Sequence, residues 1–249
     1  MATYLTNGFV LRARAHKQND RMYTVFTERR GKLDLVATSS RKILSKLAPH
    51  LVPFGEIELM IAIGKKHDKL AGASLKKIYL KPPYNLNTAV LGSAFLEVTE
   101  VLTSQAAPEP DIFIILKYYL SLLKNLPDDD VEWRETARTI FGKFIFQVLQ
   151  ATGLSIHITR CQGCQGELAV PALFSFKEHG FFHGRCLKDD AQSMSLGQEA
   201  LTFLHKLSNK HEQGQTFNLP KELVGFLVDY VQGQSGKPLY TLKVLRSIL

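Results

Sequence analysis

Phe26-Thr27-Glu28-Arg29-Arg30-Gly31-Lys32-Leu33-Asp34-Leu35-Val36-Ala37 is the stretch whose reading decides the fold. An apolar run ends at Thr27, four turn residues follow, and Leu33 and Leu35 then alternate with Lys32 and Asp34. Glycine at the end of so short a turn suits a tight hairpin. Upstream, Arg21–Thr27 carries Met22, Tyr23, Val25 and Phe26, and Tyr4–Arg14 alternates with Phe9, Leu11 and Ala13 on one face. Downstream, Leu51–Ile63 places Ile57, Leu59, Ile61 and Ile63 at period two. Gly64–Asp68 then turns the chain into a fifth strand, Leu70–Leu80. Five short antiparallel strands in one stretch predict a small barrel, which also removes exposed sheet edges. Between the third and fourth strands, the polar, basic segment 37–49 reads as a loop carrying a helical turn. That is where a five-stranded OB barrel commonly places a helix.

Lys81-Pro82-Pro83 ends this pattern, because adjacent prolines cannot continue a central strand. From Leu86 the apolar period becomes helical: Val90, Leu91, Ala94, Phe95, Val98 and Leu102 form an i, i+3/i+4 stripe. Further helices are predicted from Asp111 to about Leu126, over Trp133–Leu149, Leu196–Lys210 and Pro220–Val231, and over Tyr240–Leu249. The expected class is α+β. An N-terminal five-stranded OB-fold barrel (1–81) precedes a mainly helical domain (82–249) with an inserted zinc-finger-like motif at 157–190.

Composition and charge narrow the function. The 249 residues are 45% hydrophobic and 22% charged, as in a globular protein. No apolar run is long enough to span a bilayer, and the N-terminus does not read as a signal peptide. A cytoplasmic location is the expectation, and three cysteines there are not a disulfide framework. The net charge of +8 is unevenly placed. Residues 1–80 hold 15 Lys and Arg against 6 Asp and Glu, whereas 81–249 hold 16 against 17. A polyanion-binding first third is the implication.

Cys161-Gln-Gly-Cys164 is a CxxC, and His183-Gly-Arg-Cys186 an HxxC eighteen residues later. The frame C-x2-C-x18-H-x2-C offers four soft or borderline donors on two knuckles, which suits tetrahedral zinc. Four protein ligands leave no open position, so the expected Zn2+ is structural. No βαβ pattern surrounds the CxxC, which argues against thioredoxin-like redox work.

In this order the motifs resemble the bacterial DNA repair protein RecO family. The resemblance rests on the hairpin quoted above, on Ser40-Arg41-Lys42, Ser45, Leu47 and Pro53-Phe54, and on CQGC, Phe174-Ser175, Gly180 and HGRC. Many family members fill the metal frame with four cysteines, where His183 stands here. The resemblance implies a non-enzymatic recombination mediator that is nucleoid-associated. It would bind single- and double-stranded DNA and anneal complementary strands. With RecR it would assist RecA loading on DNA coated by the single-strand binding protein SSB. The SSB C-terminal tail would dock on the helical domain, for which Lys117, Lys124, Arg138 and Lys143 are candidate rim cations. No phosphate-binding GxxxxGK[ST] loop is present, consistent with an ATP-independent role.

OB barrels hold single strands by combining a cationic groove with stacking surfaces. The candidate DNA-binding residues are Arg12, Arg14, Lys17, Arg21, Arg29, Arg30, Lys32, Arg41, Lys42 and Lys46, with Lys65, Lys66 and Lys69 secondary. Tyr4, Phe9, Tyr23, Phe26, Phe54 and Tyr79 are the barrel aromatics, expected mostly in the core. A nuclease would want clustered carboxylates for Mg²⁺. The cluster Asp128-Asp129-Asp130 sits at a helix start, where capping explains it. The other alternative is a zinc-ribbon transcription or translation factor reading nucleic acid through its knuckles. Residues 161–186 hold Arg185 and Lys177 against Glu167 and Glu178, too neutral for a principal DNA surface.

Overall fold

The structure, a computed structural model, describes residues 2–187, 192–208, 218–236 and 238–249. It comprises two compact units, Met1–Leu126 and Pro127–Leu249.

In the first unit the strands are β1 (Thr3–Ala15), β2 (Arg21–Thr27), β3 (Gly31–Ala37), β4 (Gly55–Ala62) and β5 (Asp68–Ile78). They close into a barrel in the order β1-β2-β3-β5-β4, with β1 returning to β4. That is the OB arrangement expected from the sequence. All pairings are antiparallel except the short β3–β5 seam at Leu35↔Asp68 and Val36↔Lys69. Val10, Tyr23, Val25, Leu33, Leu35, Ile57, Leu59 and Ile61 fill the interior.

β1 departs from simple alternation. A register shift between Val10 and Arg12 bulges the strand. Up to Val10 the even positions face the interior, so Phe9 points outward yet is fully buried; the shift after Val10 moves the inward face to Ala13, opposite Tyr23. The cover is helical: α1 (Leu86–Leu102) and α2 (Pro110–Leu122) belong to the same compact unit as the barrel. Phe113 of α2 lies 5.2 Å from the Phe9 ring and 6.2 Å from Phe26. β2 consequently buries both faces from Met22 to Thr27. The sequence break at Lys81-Pro82-Pro83 ends the strands, whereas compaction divides the chain at Leu126. Packing on the barrel draws in two helices that follow the break. Gly92 permits the approach of α1, because a Cβ there would stand 2.9 Å from Phe54 Cε1.

The β2–β3 turn is tied to the α1–α2 connection. Gly31 has φ 65°, and a Cβ on it would fall 1.7 Å from Ala107 O, so only glycine fits. Ala106 N–H donates to Lys32 O at 2.8 Å. The expected helical turn between β3 and β4 is a single 3₁₀ turn, Ala48–His50. Upstream of it the serines compete with helix. Ser40 Oγ donates to Ala37 O and accepts from Arg21 N–H, and Ser39 holds φ 56°.

The second unit holds α3 (Asp130–Ala151), β6 (Ala172–Ser175), β7 (Gly180–Phe182), β8 (Ser193–Leu196), α4 (Gln198–Ser208), α5 (Lys221–Ser235) and α6 (Tyr240–Ile248). Asp129 caps α3 by accepting from Val131 and Glu132 N–H, as the acidic cluster suggested. The three-stranded sheet β7-β6-β8 is not anticipated by the helical reading. Leu196, expected to open a helix, ends β8 instead, and α4 begins at Gln198. The predicted last residues of that helix, 209 and 210, lie outside the described residues, as do 188–190 of the expected zinc-finger-like segment. The sheet packs on α5 through aromatics: Phe174 stands 4.9 Å from both Phe181 and Phe226.

Candidate nucleic-acid interface and metal centre

The barrel sorts its cations by strand direction. β2 begins at Arg21, opposite Ala15 and Ala37, and ends at Thr27, opposite Gly31. Its seven residues separate the two ends by roughly 20 Å. At the Arg21 end three connections converge: the β1–β2 turn, the β3–β4 loop and the β4–β5 turn. Arg41 N–H donates to Asn19 O, Ser39 N–H to Asp20 Oδ1, and the rings of His16 and His67 lie 6.2 Å apart.

Lys17, Arg21, Arg41, Lys42 and Lys46 are gathered here, and Lys65, Lys66 and Lys69 join them. All eight are exposed, and none makes an ion pair among the described residues. The three lysines treated as secondary in the sequence therefore belong with the main group. Strand closure brings them in at Ala62↔Lys69 and Val36↔Lys69, a proximity that no local pattern signals.

Of the other candidates, Arg14 lies at the edge of this cluster, opposite Met22, whereas Arg12, Arg29, Arg30 and Lys32 are not brought to it. Arg29 and Arg30 lie exposed on the β2–β3 turn at the far end of β2. The Arg30 guanidinium sits 4.4 Å over the Tyr4 ring, while the Tyr4 hydroxyl is buried without a partner. Burial pushes the Tyr4 phenol pKa up, against the pull of Arg30. Arg12 pairs with Glu100 of α1 at 2.8 Å, and Arg14 approaches Asp34 at 3.5 Å. Lys32 turns inward, donating to the carbonyls of Glu100 and Thr103 where α1 ends. Burial lowers its ammonium pKa, with Glu100 opposing. Lys32 thus closes a helix rather than facing solvent.

Of the six barrel aromatics, all but the half-buried Tyr4 are buried. The exposed apolar side chains at the cationic end are aliphatic: Ile43, Leu44 and Ile63. Among the rim candidates of the helical region, Lys117 pairs with Glu56 at 2.7 Å, Lys124 is exposed, and Arg138 and Lys143 are half-buried on α3.

The metal candidates do converge. One donor atom from each of Cys161, Cys164, His183 and Cys186 lies within 4.8 Å of all the others. Two local structures place them. Cys161 N–H donates to Gly166 O and Gln165 N–H to Cys161 O, closing the CxxC turn. His183 directly follows β7, and Cys186 N–H donates back to His183 O. Gln162 N–H donates to Phe181 O, joining the knuckles.

His183 Nδ1 stands 3.3 Å from Cys164 Sγ and 3.9 Å from Cys186 Sγ. Donors sharing one tetrahedral zinc stand roughly 3.5–3.8 Å apart, so the set fits. His183 Nε2 lies 2.9 Å from Glu167 O, so an Nε2–H donated to that carbonyl leaves Nδ1 free to ligate. The Glu167 carbonyl has no signal in sequence. Burial raises the Cys161 thiol pKa, but N–H donors of His183, Cys164 and Gly163 outweigh it and bring the thiol to about 6. Burial and the neighbouring thiols push Cys186 up.

An OB-type barrel leading into a largely helical region with a four-donor Cys/His cluster defines a class of α+β proteins. The family is specific. The family model described as Recombination protein O N terminal matches residues 1–79, and that described as Recombination protein O C terminal matches 83–243. The chain belongs to the RecO family of DNA repair proteins. The DNA repair protein RecO of Alkaliphilus metalliredigens is 26% identical over 191 residues, covering 77% of this chain and 75% of that protein. Those of Clostridium acetobutylicum and Geobacter metallireducens are 22% and 26% identical, each covering 100% of this chain and 99% of the relative. No helix among the described residues is long and apolar enough to cross a membrane.

Proposed function

We propose that this chain is a non-enzymatic recombination mediator that binds single- and double-stranded DNA and anneals complementary strands. The observation that carries this reading is the gathering of eight exposed cations, without an ion pair among the described residues, where the β1–β2, β3–β4 and β4–β5 connections meet. Loops between strands one and two and between four and five are a common oligonucleotide-binding edge of OB barrels. Contacts to phosphate give affinity without reading bases, which annealing of arbitrary sequences requires. Within the proposed contact set, Lys17, Arg21, Arg41, Lys42 and Lys46 lead, joined by Lys65, Lys66 and Lys69. Arg29 and Arg30 would form a separate, smaller contact. Arg12, Arg14 and Lys32 serve mainly their protein partners.

Cys161, Cys164, His183 and Cys186 would hold a structural Zn2+, which when bound cross-links the two knuckles. The second unit, near neutral in charge, is the proposed site for protein partners. The partners proposed for it are RecR and the SSB tail, with RecA loading as the proposed consequence. The test is annealing of complementary strands coated with SSB, with and without the full chain. Accelerated annealing without ATP supports the reading, and no acceleration at any protein concentration rejects it.

A further inference from the structure

The cationic end of the barrel exposes no Phe, Tyr or Trp side chain. What stands among the cations is an aliphatic pair. Ile43 is 102% and Leu44 92% exposed, the two most solvated large apolar side chains among the described residues. They follow Arg41-Lys42 and precede Ser45-Lys46, so cations flank them on both sides.

The loop that bears them is held at its root. Arg41 N–H donates to Asn19 O, Ser39 N–H to Asp20 Oδ1, and Ser40 Oγ bridges Ala37 O and Arg21 N–H. Two turns, Lys42 N–H to Ser39 O and Ser45 N–H to Lys42 O, shape the tip, and Ala48 N–H donates to Ser45 Oγ behind it. Such a loop does not fold its apolar tip back onto the barrel. It presents two branched hydrophobes from a cationic platform.

We propose that Ile43 and Leu44 are an apolar wedge that enters the base stack of DNA at a junction between single strand and duplex. Wedges of this kind are built from Ile, Leu, Met, Phe or Pro, and they unstack a base step while neighbouring cations hold the backbone. Aliphatic side chains lack the π-face that favours stacking on a flat platform, so insertion is the mode their chemistry suits. Charge complementarity selects nucleic acid as the occupant, since the surrounding cations have no acidic partners among the described residues. The wedge rests on the reading that this barrel end binds DNA, and it adds what the site does to the strand. Opening the last paired step exposes bases for exchange, which phosphate contacts by themselves do not achieve.

The test uses the full chain and a forked oligonucleotide with 2-aminopurine at successive steps through the junction. Ile43→Ser with Leu44→Ser is compared with Arg41→Ala with Lys42→Ala. Neither Ile43 nor Leu44 packs on anything, so the serine variant should melt with the wild type. Emission should rise on wild-type binding at one or two steps next to the junction. In the serine variant that rise should be lost while the dependence of affinity on salt is unchanged. The basic-pair variant should instead lose affinity and salt dependence, which tests the DNA surface separately. A serine variant that keeps the full rise, or a wild type that binds without any rise, overturns the wedge. So does a serine variant whose sole loss is binding of a fluorescein-labelled acidic peptide ending in apolar residues, which would make the loop a peptide dock.

Discussion

Glu56 on β4 accepts from Lys117 Nζ on α2 at 2.7 Å, and its other carboxylate oxygen accepts from Tyr79 Oη at 2.8 Å. Glu56 is buried, so this bridge is what makes a carboxylate tolerable where α2 meets the barrel.

Removing Lys117 should therefore cost more than a surface pair would. Lys117→Met leaves the buried carboxylate with Tyr79 alone. Because Lys117 is itself partly solvated, a loss of about 1–3 kcal/mol is expected rather than the full cost of a buried pair. Tyr79→Phe should cost about 0.5–1.5 kcal/mol. Glu56→Gln with Lys117→Met should cost less than the two single losses added. Urea unfolding of Lys117→Met, Tyr79→Phe, Glu56→Gln and the double variant reads these values, and strict additivity would show that Glu56 and Lys117 do not act together.

Lys32 and Arg41 belong to the same run of sequence cations but should behave oppositely. Lys32→Ala strips two carbonyls at the end of α1 of their donor. It should lower stability by about 1–3 kcal/mol while leaving the salt dependence of DNA binding intact.

Arg41→Ala with Lys42→Ala should leave the melting temperature unchanged. It should weaken every DNA sequence alike and reduce the salt slope on single strands by about 1.4, about 0.7 for each phosphate contact. Fluorescence anisotropy across a salt series distinguishes the two variants, and matching behaviour would contradict the division of roles.

Metal analysis of the purified chain should find one equivalent of zinc. His183→Cys should retain it and His183→Ala lose it. Chelation should loosen residues 127–249 while hydrogen exchange in the barrel stays slow, because ligand binding is coupled to local folding. The pH dependence has a sign. A thiol whose folded pKa is depressed to about 6 contributes stability above its ordinary value, and that contribution is lost as the pH falls through about 6. Metal retention should fail in the same direction, and release on raising the pH instead would contradict the assignment.

Much of this was legible from local pattern. Strand alternation around Phe26–Ala37, the glycine at 31, the proline break at 82 and 83, and the spacing of CxxC and HxxC are short-range signals. They depend on backbone geometry within a few residues, so the OB barrel and the four-donor Cys/His cluster follow from them directly.

What tertiary structure alone decided is how separated positions meet. The outward face of β1 carries Phe9 to Phe113, so α1 and α2 join the barrel although they follow the proline break. Lys32 and Arg41 are both basic residues in one region of sequence. Chain direction turns one onto the end of a helix and leaves the other in solvent beside Lys65 and Lys69. Charge pattern counts cations, but the closure of β4 and β5 against β1 and β3 selects which of them share one face.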